Sequence, residues 1–159
     1  MLKIAREAVL ALKERSLTVA ACESLTGGMI CSALVDVPGA SKVVRGGLIT
    51  YQTDTKTLLA GVDAALIEAH GVVSSEVACA MAAGARARLG VDIAVSATGM
   101  ASPGDENDPP AGTVFVGVAS ANGVRAIPLY LTGSRAEVRQ STVEQAIRAV
   151  ITEAKELQA

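Results

Sequence analysis

The chain contains no tryptophan, one phenylalanine and two tyrosines. So few rings offer no platform on which nucleobases stack, and a formal net charge of −2 supplies no cationic excess for a phosphate backbone or an anionic membrane. Direct nucleic-acid binding and membrane attachment are therefore not expected. No apolar run is long enough to span a bilayer, and the charged start, Met1-Leu2-Lys3-Ile4-Ala5-Arg6-Glu7, does not have the form of a signal peptide. Cysteine is scarce as well. Cys22, Cys31 and Cys79 are an odd, widely spaced set, which excludes a disulfide framework and fits a reducing compartment, the cytoplasm by default. The only histidine, His70, falls far in sequence from every motif. Asp105, Glu106 and Asp108 crowd one loop but lack metal-ligand spacing, so no metal or cofactor is expected.

Half of the 159 residues are hydrophobic, chiefly small and aliphatic, enough for one domain of closely packed helices on a sheet. Residues 2–15 carry Ile4, Ala8, Val9 and Leu12 on one helical face. Strands are expected at Leu17–Ala21, Gly47–Tyr51, Val91–Ala97, Gly112–Ser120 and Val124–Leu131, the last two joined by the hairpin signal Asn122-Gly123. Helices are expected at Thr26–Asp36, at Thr55–Leu59 behind an Asp54 cap, behind Asp63, and behind Ser74 or Ser75 as far as Leu89. A last helix opens on a Ser134/Glu137 capping box and runs to the C-terminus. Together these give an α/β fold, a three-layer α/β/α single domain over residues 1–159. Its sheet is mixed and mostly parallel, with one C-terminal hairpin.

One stretch organises the rest, Ala21-Cys22-Glu23-Ser24-Leu25-Thr26-Gly27-Gly28, where a strand gives way to a helix. The first N–H groups of a helix have no internal partner, and the macrodipole adds partial positive charge. Such a corner can cradle a phosphate, form an oxyanion hole beside a nucleophile, or simply be capped. Two cations sit against local rules. Lys56 follows the Asp54 cap and Arg135 follows the Ser134 cap, each in a first helical turn where positive charge is disfavoured. A lysine held there has its ammonium form destabilised, as a serine hydrolase without a histidine base requires, and an arginine there can meet an anion. The plainer alternative is that both bend into water or pair with Asp54 and Glu137.

In order along the chain stand Glu23-Ser24-Leu25-Thr26-Gly27-Gly28, Gly39-Ala40-Ser41, Arg45-Gly46, Ile49-Thr50-Tyr51 and Lys56. His70-Gly71-Val72-Val73-Ser74, Ser96-Ala97-Thr98-Gly99-Met100-Ala101, Pro103, Gly112-Thr113-Val114, Gly133-Ser134-Arg135 and Val138-Arg139 follow. This succession resembles the CinA C-terminal domain family, whose characterised members are nicotinamide-nucleotide amidases. The resemblance implies an amidohydrolase that releases ammonia from nicotinamide mononucleotide to give the nicotinate nucleotide, with no cofactor. It implies Ser24 as nucleophile, assisted by Tyr51 and Lys56. Ser41, Thr98 and Arg135 would lie around the substrate, together with Gly99, and Thr26, Gly27 and Gly28 would supply oxyanion donors.

The chain departs from the family pattern in places. Leu25 replaces a cysteine, Ser102 a glycine, Pro109 a lysine, and Ser134 an aspartate. The Met100–Gly112 loop is about one residue shorter than usual, which bears on substrate choice. Many members carry a second, N-terminal domain; this chain is expected to be the stand-alone form, and that domain's activities are not carried over. A homodimer is expected from the apolar helical surfaces. The alternatives to an amidase are an inactive nucleotide-binding module and an interaction protein in competence or DNA-damage responses.

Overall fold

The computed structural model describes residues 1–157 of the chain. Its frame follows from alternation along two strands, β1 (Val19–Glu23) and β3 (Ile93–Gly99). Successive side chains of a strand point to opposite faces. Val19 and Ala21, with Ile93, Val95 and Ala97, enter one hydrophobic core. Ala20, Cys22 and Ala94 enter the other. Both strands are buried throughout except at Gly99, so the sheet must be covered on both sides.

The first core is closed by α1 (Leu2–Glu14), α2 (Met29–Val35) and α6 (Arg135–Glu156). The second is closed by α3 (Thr53–Ala60), α4 (Ala64–His70) and α5 (Ser75–Leu89). The five-stranded sheet has the order β2-β1-β3-β4-β5, with β2 at Val44–Ile49, β4 at Thr113–Ser120 and β5 at Gly123–Tyr130. Strand β1 pairs in parallel with both β2 and β3, whereas β3–β4 and β4–β5 are antiparallel. The fold is the expected α/β/α sandwich with its C-terminal hairpin. The expected final helix is present to Glu156; Gln158 and Ala159 lie outside the described residues.

This order makes the C-terminal end of β1 a switch point. From β1 the chain passes through α2 to β2 on one side, then through α3, α4 and α5 to β3 on the other. Open α/β sheets bind ligands in the crevice that such a reversal leaves at the carboxyl ends of the strands.

Several boundaries differ from expectation, and the differences matter at that crevice. The first strand is Val19–Glu23 rather than Leu17–Ala21. The Leu17 N–H instead bonds the Leu12 carbonyl after α1, and Thr18 is tied to the Asp92 carboxylate. Helix α2 begins at Met29 rather than Thr26, because Gly27 and Gly28 take left-handed conformations (φ 58° and 100°). Helix α3 begins at Thr53 behind Gln52 rather than behind Asp54, so Lys56 stands past the first three helical residues. Ser74 and Ser134 cap their helices as expected, the latter in a full capping box.

The depth of α3 is set against α5. A Cβ added at Gly84 would fall 1.7 Å from the Ala60 carbonyl oxygen. We expect Gly84→Ala to lower the stability in urea unfolding by about 1–3 kcal/mol, the usual cost of overpacking. An unchanged midpoint would contradict the close approach of the two helices.

Candidate active site

Alternation continues past the end of β1. Cys22 and Ser24 face α3, and Glu23 faces α2. Beside Ser24 the chain leaves β2 at Thr50, whose N–H bonds the Glu23 carbonyl at 2.7 Å. This brings Thr50 beside the nucleophile candidate and aims the following helix at it. Lys56, on α3, has no exposed surface at all. Its Nζ donates to the Thr50 carbonyl at 2.7 Å and to Ser24 Oγ at 3.1 Å. No carboxylate among the described residues forms an ion pair with it.

A buried ammonium without a counter-ion is costly, and burial lowers the Lys56 pKa from its ordinary value of 10.5. Cys22 would restore the charge only as a thiolate. Burial, only partly offset by the contact of its Sγ with Thr50 Oγ1 at 3.7 Å and by Lys56, pushes the thiol up to about 11, so it stays protonated at neutral pH. A neutral Lys56 still donates one N–H to Thr50 and turns its lone pair to the Ser24 hydroxyl. The pKa displacement expected from the sequence is therefore present, but desolvation causes it, with Lys56 set beyond the first helical turn.

The turn Ser24–Gly28 is fastened on its other side. The Glu23 carboxylate is buried and accepts from the N–H groups of Gly28 (3.0 Å), Ile30 (3.0 Å) and Cys31 (2.9 Å). The N-terminus of α2 is thus occupied by the protein's own carboxylate. Gly27 N–H donates to the Ser24 carbonyl. Oxyanion donation by Gly27 and Gly28, expected from the sequence, is corrected by these bonds. Among the described residues the N–H groups left without an acceptor in this turn are those of Leu25 and Thr26, the two that follow the serine. The Thr26 hydroxyl is buried and has no partner among the described residues.

Ser24 opens into a cavity of about 550 Å³ at the carboxyl ends of β1, β2 and β3, a size that suits a small-molecule ligand. Leu25, Tyr51, Thr98, Gly99 and Arg135 line it, as does the loop from Met100 to Pro103. Thr98 is buried, its hydroxyl donating to the Val72 carbonyl. Tyr51 is half-exposed at the mouth. Its hydroxyl accepts from Arg135 Nη2 at 2.9 Å, and it makes no hydrogen bond to Ser24 or Lys56. Arg135 Nη1 donates to Ser102 Oγ at 3.1 Å, so the serine that departs from the family pattern is a partner of the arginine. Ser41 lies elsewhere, exposed in the 3-10 turn Ala40–Lys42 and on a separate hollow with Arg45. In the acidic loop the Asp108 carboxylate accepts from the Asp105 N–H.

The family model described as CinA C-terminal domain matches residues 1–154. The chain belongs to this family. Relatives include a CinA-like protein of Chlorobaculum tepidum, 46% identical over 153 residues, covering 92% of this chain and 36% of that protein. Another, from Frankia casuarinae, is 43% identical over 136 residues, covering 86% and 31%. The chain therefore spans about a third of the length of these curated relatives. Among solved structures it is similar to the competence/damage inducible protein CihA of Agrobacterium tumefaciens, with TM-score 0.90, 34% identity and coverage of 95% of this chain and 93% of that one. A CinA superfamily protein from Klebsiella pneumoniae superposes with TM-score 0.94 at 25% identity, covering 98% of each chain.

Within this CinA C-terminal domain, sequence reasoning missed three side chains at the site. Glu23 was readable, since a carboxylate at the end of a fully buried strand must find donors. His70 lies on the cavity wall, with Nδ1 3.5 Å from a Glu76 carboxylate oxygen; it opened the His70–Ser74 segment, which carried no role in the sequence. Arg139 stood in a motif without a role. No described helix is long and apolar enough to cross a membrane.

The buried Lys56 makes a signed prediction. Between its native pKa and 10.5 the unfolded chain binds more protons there than the folded one, so folding gains stability as pH rises through that window. Lys56→Met should therefore be more stable than wild type at neutral pH, with the advantage shrinking as pH approaches 10.5. Denaturant unfolding at several pH values measures this, and a gap that does not vary with pH would contradict it.

Proposed function

We propose that this chain is an amidohydrolase that converts nicotinamide mononucleotide to nicotinate mononucleotide and ammonia, through a serine acyl-enzyme. The observation that carries this reading is the buried Lys56 Nζ, free of any carboxylate ion pair among the described residues, 3.1 Å from Ser24 Oγ. A serine hydroxyl is a poor nucleophile until a base stands within reach, and a desolvated lysine is such a base. The known activity of the family resembled supplies the substrate.

In the proposed reaction Ser24 Oγ attacks the carboxamide carbon while its proton passes to Lys56 Nζ. The carbonyl oxygen becomes an oxyanion and is received by the N–H groups of Leu25 and Thr26. Collapse breaks the C–N bond, and the Lys56 ammonium returns its proton to the departing nitrogen, which leaves as ammonia. Water then attacks the acyl carbon with neutral Lys56 as base, releasing the carboxylate product and restoring the Ser24 hydroxyl. Arg135, braced by Tyr51 and Ser102 at the mouth, is suited to an anionic group of the substrate. Tyr51 acts in this reading by holding Arg135, rather than by carrying the proton. Thr98 and Gly99 form the cavity wall against which the ring would lie. Ser41, on its separate hollow, has no part in a site built within one chain. Exposed apolar side chains such as Val35, Ile49 and Leu58 support association of two copies.

Ammonia release from nicotinamide mononucleotide, with nicotinamide riboside and simple amides as controls, tests the proposal. Turnover should prefer the mononucleotide and fall by about 10²–10⁴-fold in both Ser24→Ala and Lys56→Ala. The wild-type rate should rise with pH as Lys56 loses its proton, at a midpoint below 10.5. Full activity in Ser24→Ala would overturn the serine mechanism, and a folded wild type without turnover would overturn the substrate.

A further inference from the structure

Arg139 lies on α6, across the sheet from Lys56, half-buried beneath the Ser24–Gly28 turn. Its Nε donates to the Leu25 carbonyl at 2.8 Å and its Nη2 to the Thr26 carbonyl at 3.2 Å. Among the described residues it forms no ion pair, so the guanidinium's charge is directed at two successive peptide groups of the turn. A peptide is planar and trans, so holding the Leu25 carbonyl toward α6 turns the Thr26 N–H away from α6. A charge-assisted bond to that carbonyl also polarises the peptide and strengthens its N–H as a donor. The Thr26 carbonyl belongs to the peptide whose Gly27 N–H closes the turn onto Ser24. Gly27 fits against the guanidinium: a Cβ there would come to 3.6 Å from Arg139 Nη2.

We propose that Arg139 is a positioning residue for acyl transfer: through the Leu25 and Thr26 carbonyls it aims and polarises the N–H group that receives the oxyanion. The proposal rests on the reading of Ser24 as nucleophile but not on the identity of the amide. Arg139 and Glu23 divide the turn between them. Glu23 takes the N–H groups of Gly28, Ile30 and Cys31, and Arg139 takes the carbonyls of Leu25 and Thr26, while the donors next to Ser24 stay free.

The test uses a fluorophosphonate and needs no amide substrate. Ser24 Oγ displaces fluoride from phosphorus, its proton passing to Lys56, and the adduct is counted by mass spectrometry against Ser24→Ala. In Arg139→Met the labelling rate should fall by about 10²-fold, the loss usual for an oxyanion donor, with the pH midpoint of labelling unchanged. Added guanidinium should restore part of the rate. Should Arg139→Met not fold, Arg139→Lys is read instead, with one donor nitrogen in place of the two-nitrogen fork and a loss of about tenfold. Wild-type labelling in either folded variant would overturn the proposal. So would a loss accompanied by a shifted pH midpoint, which would place the effect on the Ser24–Lys56 pair. Labelled wild type that releases no ammonia from nicotinamide mononucleotide would sink the substrate assignment and leave this inference standing.

Discussion

A lysine is buried where no carboxylate neutralises it, and the site is built around that one cost. Lys56 is wholly enclosed, with a carbonyl and a hydroxyl as its partners. An ammonium in such surroundings is penalised by several kcal/mol unless it is paired, so the proton is what the site gives up most readily. The fold must meet this cost with packing elsewhere. Two hydrophobic cores, one on each face of the sheet, hold α3 and β1 at fixed depth, and the approach of Gly84 to Ala60 leaves no room for α3 to come closer to α5.

The period of the strand then separates two tasks. Cys22 and Ser24 face the lysine; Glu23 faces α2 and occupies the helix end that would otherwise attract an anion. The cation that faces the cavity stands instead at its mouth, where Arg135 is braced by Tyr51 and Ser102. The nucleophile candidate thus sits at the switch point of the sheet, with the buried Lys56 on one face and the supports of its turn on the other.

Much of this was legible in the sequence because short-range rules carried it. The Ser134/Glu137 capping box, the hairpin near Asn122-Gly123 and the apolar strands β1 and β3 are local signals; the cap falls where it was expected, the two strands each run two residues later, and the hairpin turns one residue earlier, with Gly123 already paired in β5. The pairing of Ser24 with Lys56 was reachable because a serine without a histidine base needs another one. What the sequence could not convey depends on the third dimension. The glycines of the Ser24–Gly28 turn were read as free donors, because the carboxylate that satisfies Gly28 comes from a residue assigned to the far side of a strand end. Tyr51 was expected to assist Ser24 alongside Lys56, yet its hydrogen-bond partner is 84 positions away in sequence. Ser41 carried a family role, but the turn that bears it folds onto another hollow. Arg139 was visible as a motif, and only the packing of α6 under the turn gave it partners.

The most direct measurement is the titration of Lys56 itself, followed by NMR on protein labelled at the lysine side-chain carbons and assigned with Lys56→Met. The account predicts one lysine that loses its proton at a pH below the ordinary 10.5, in a titration that moves when Ser24 is replaced by alanine. A Lys56 that titrates with the surface lysines and ignores Ser24 would contradict the account, because the proposed base would then be an ordinary ammonium at the pH of the proposed reaction.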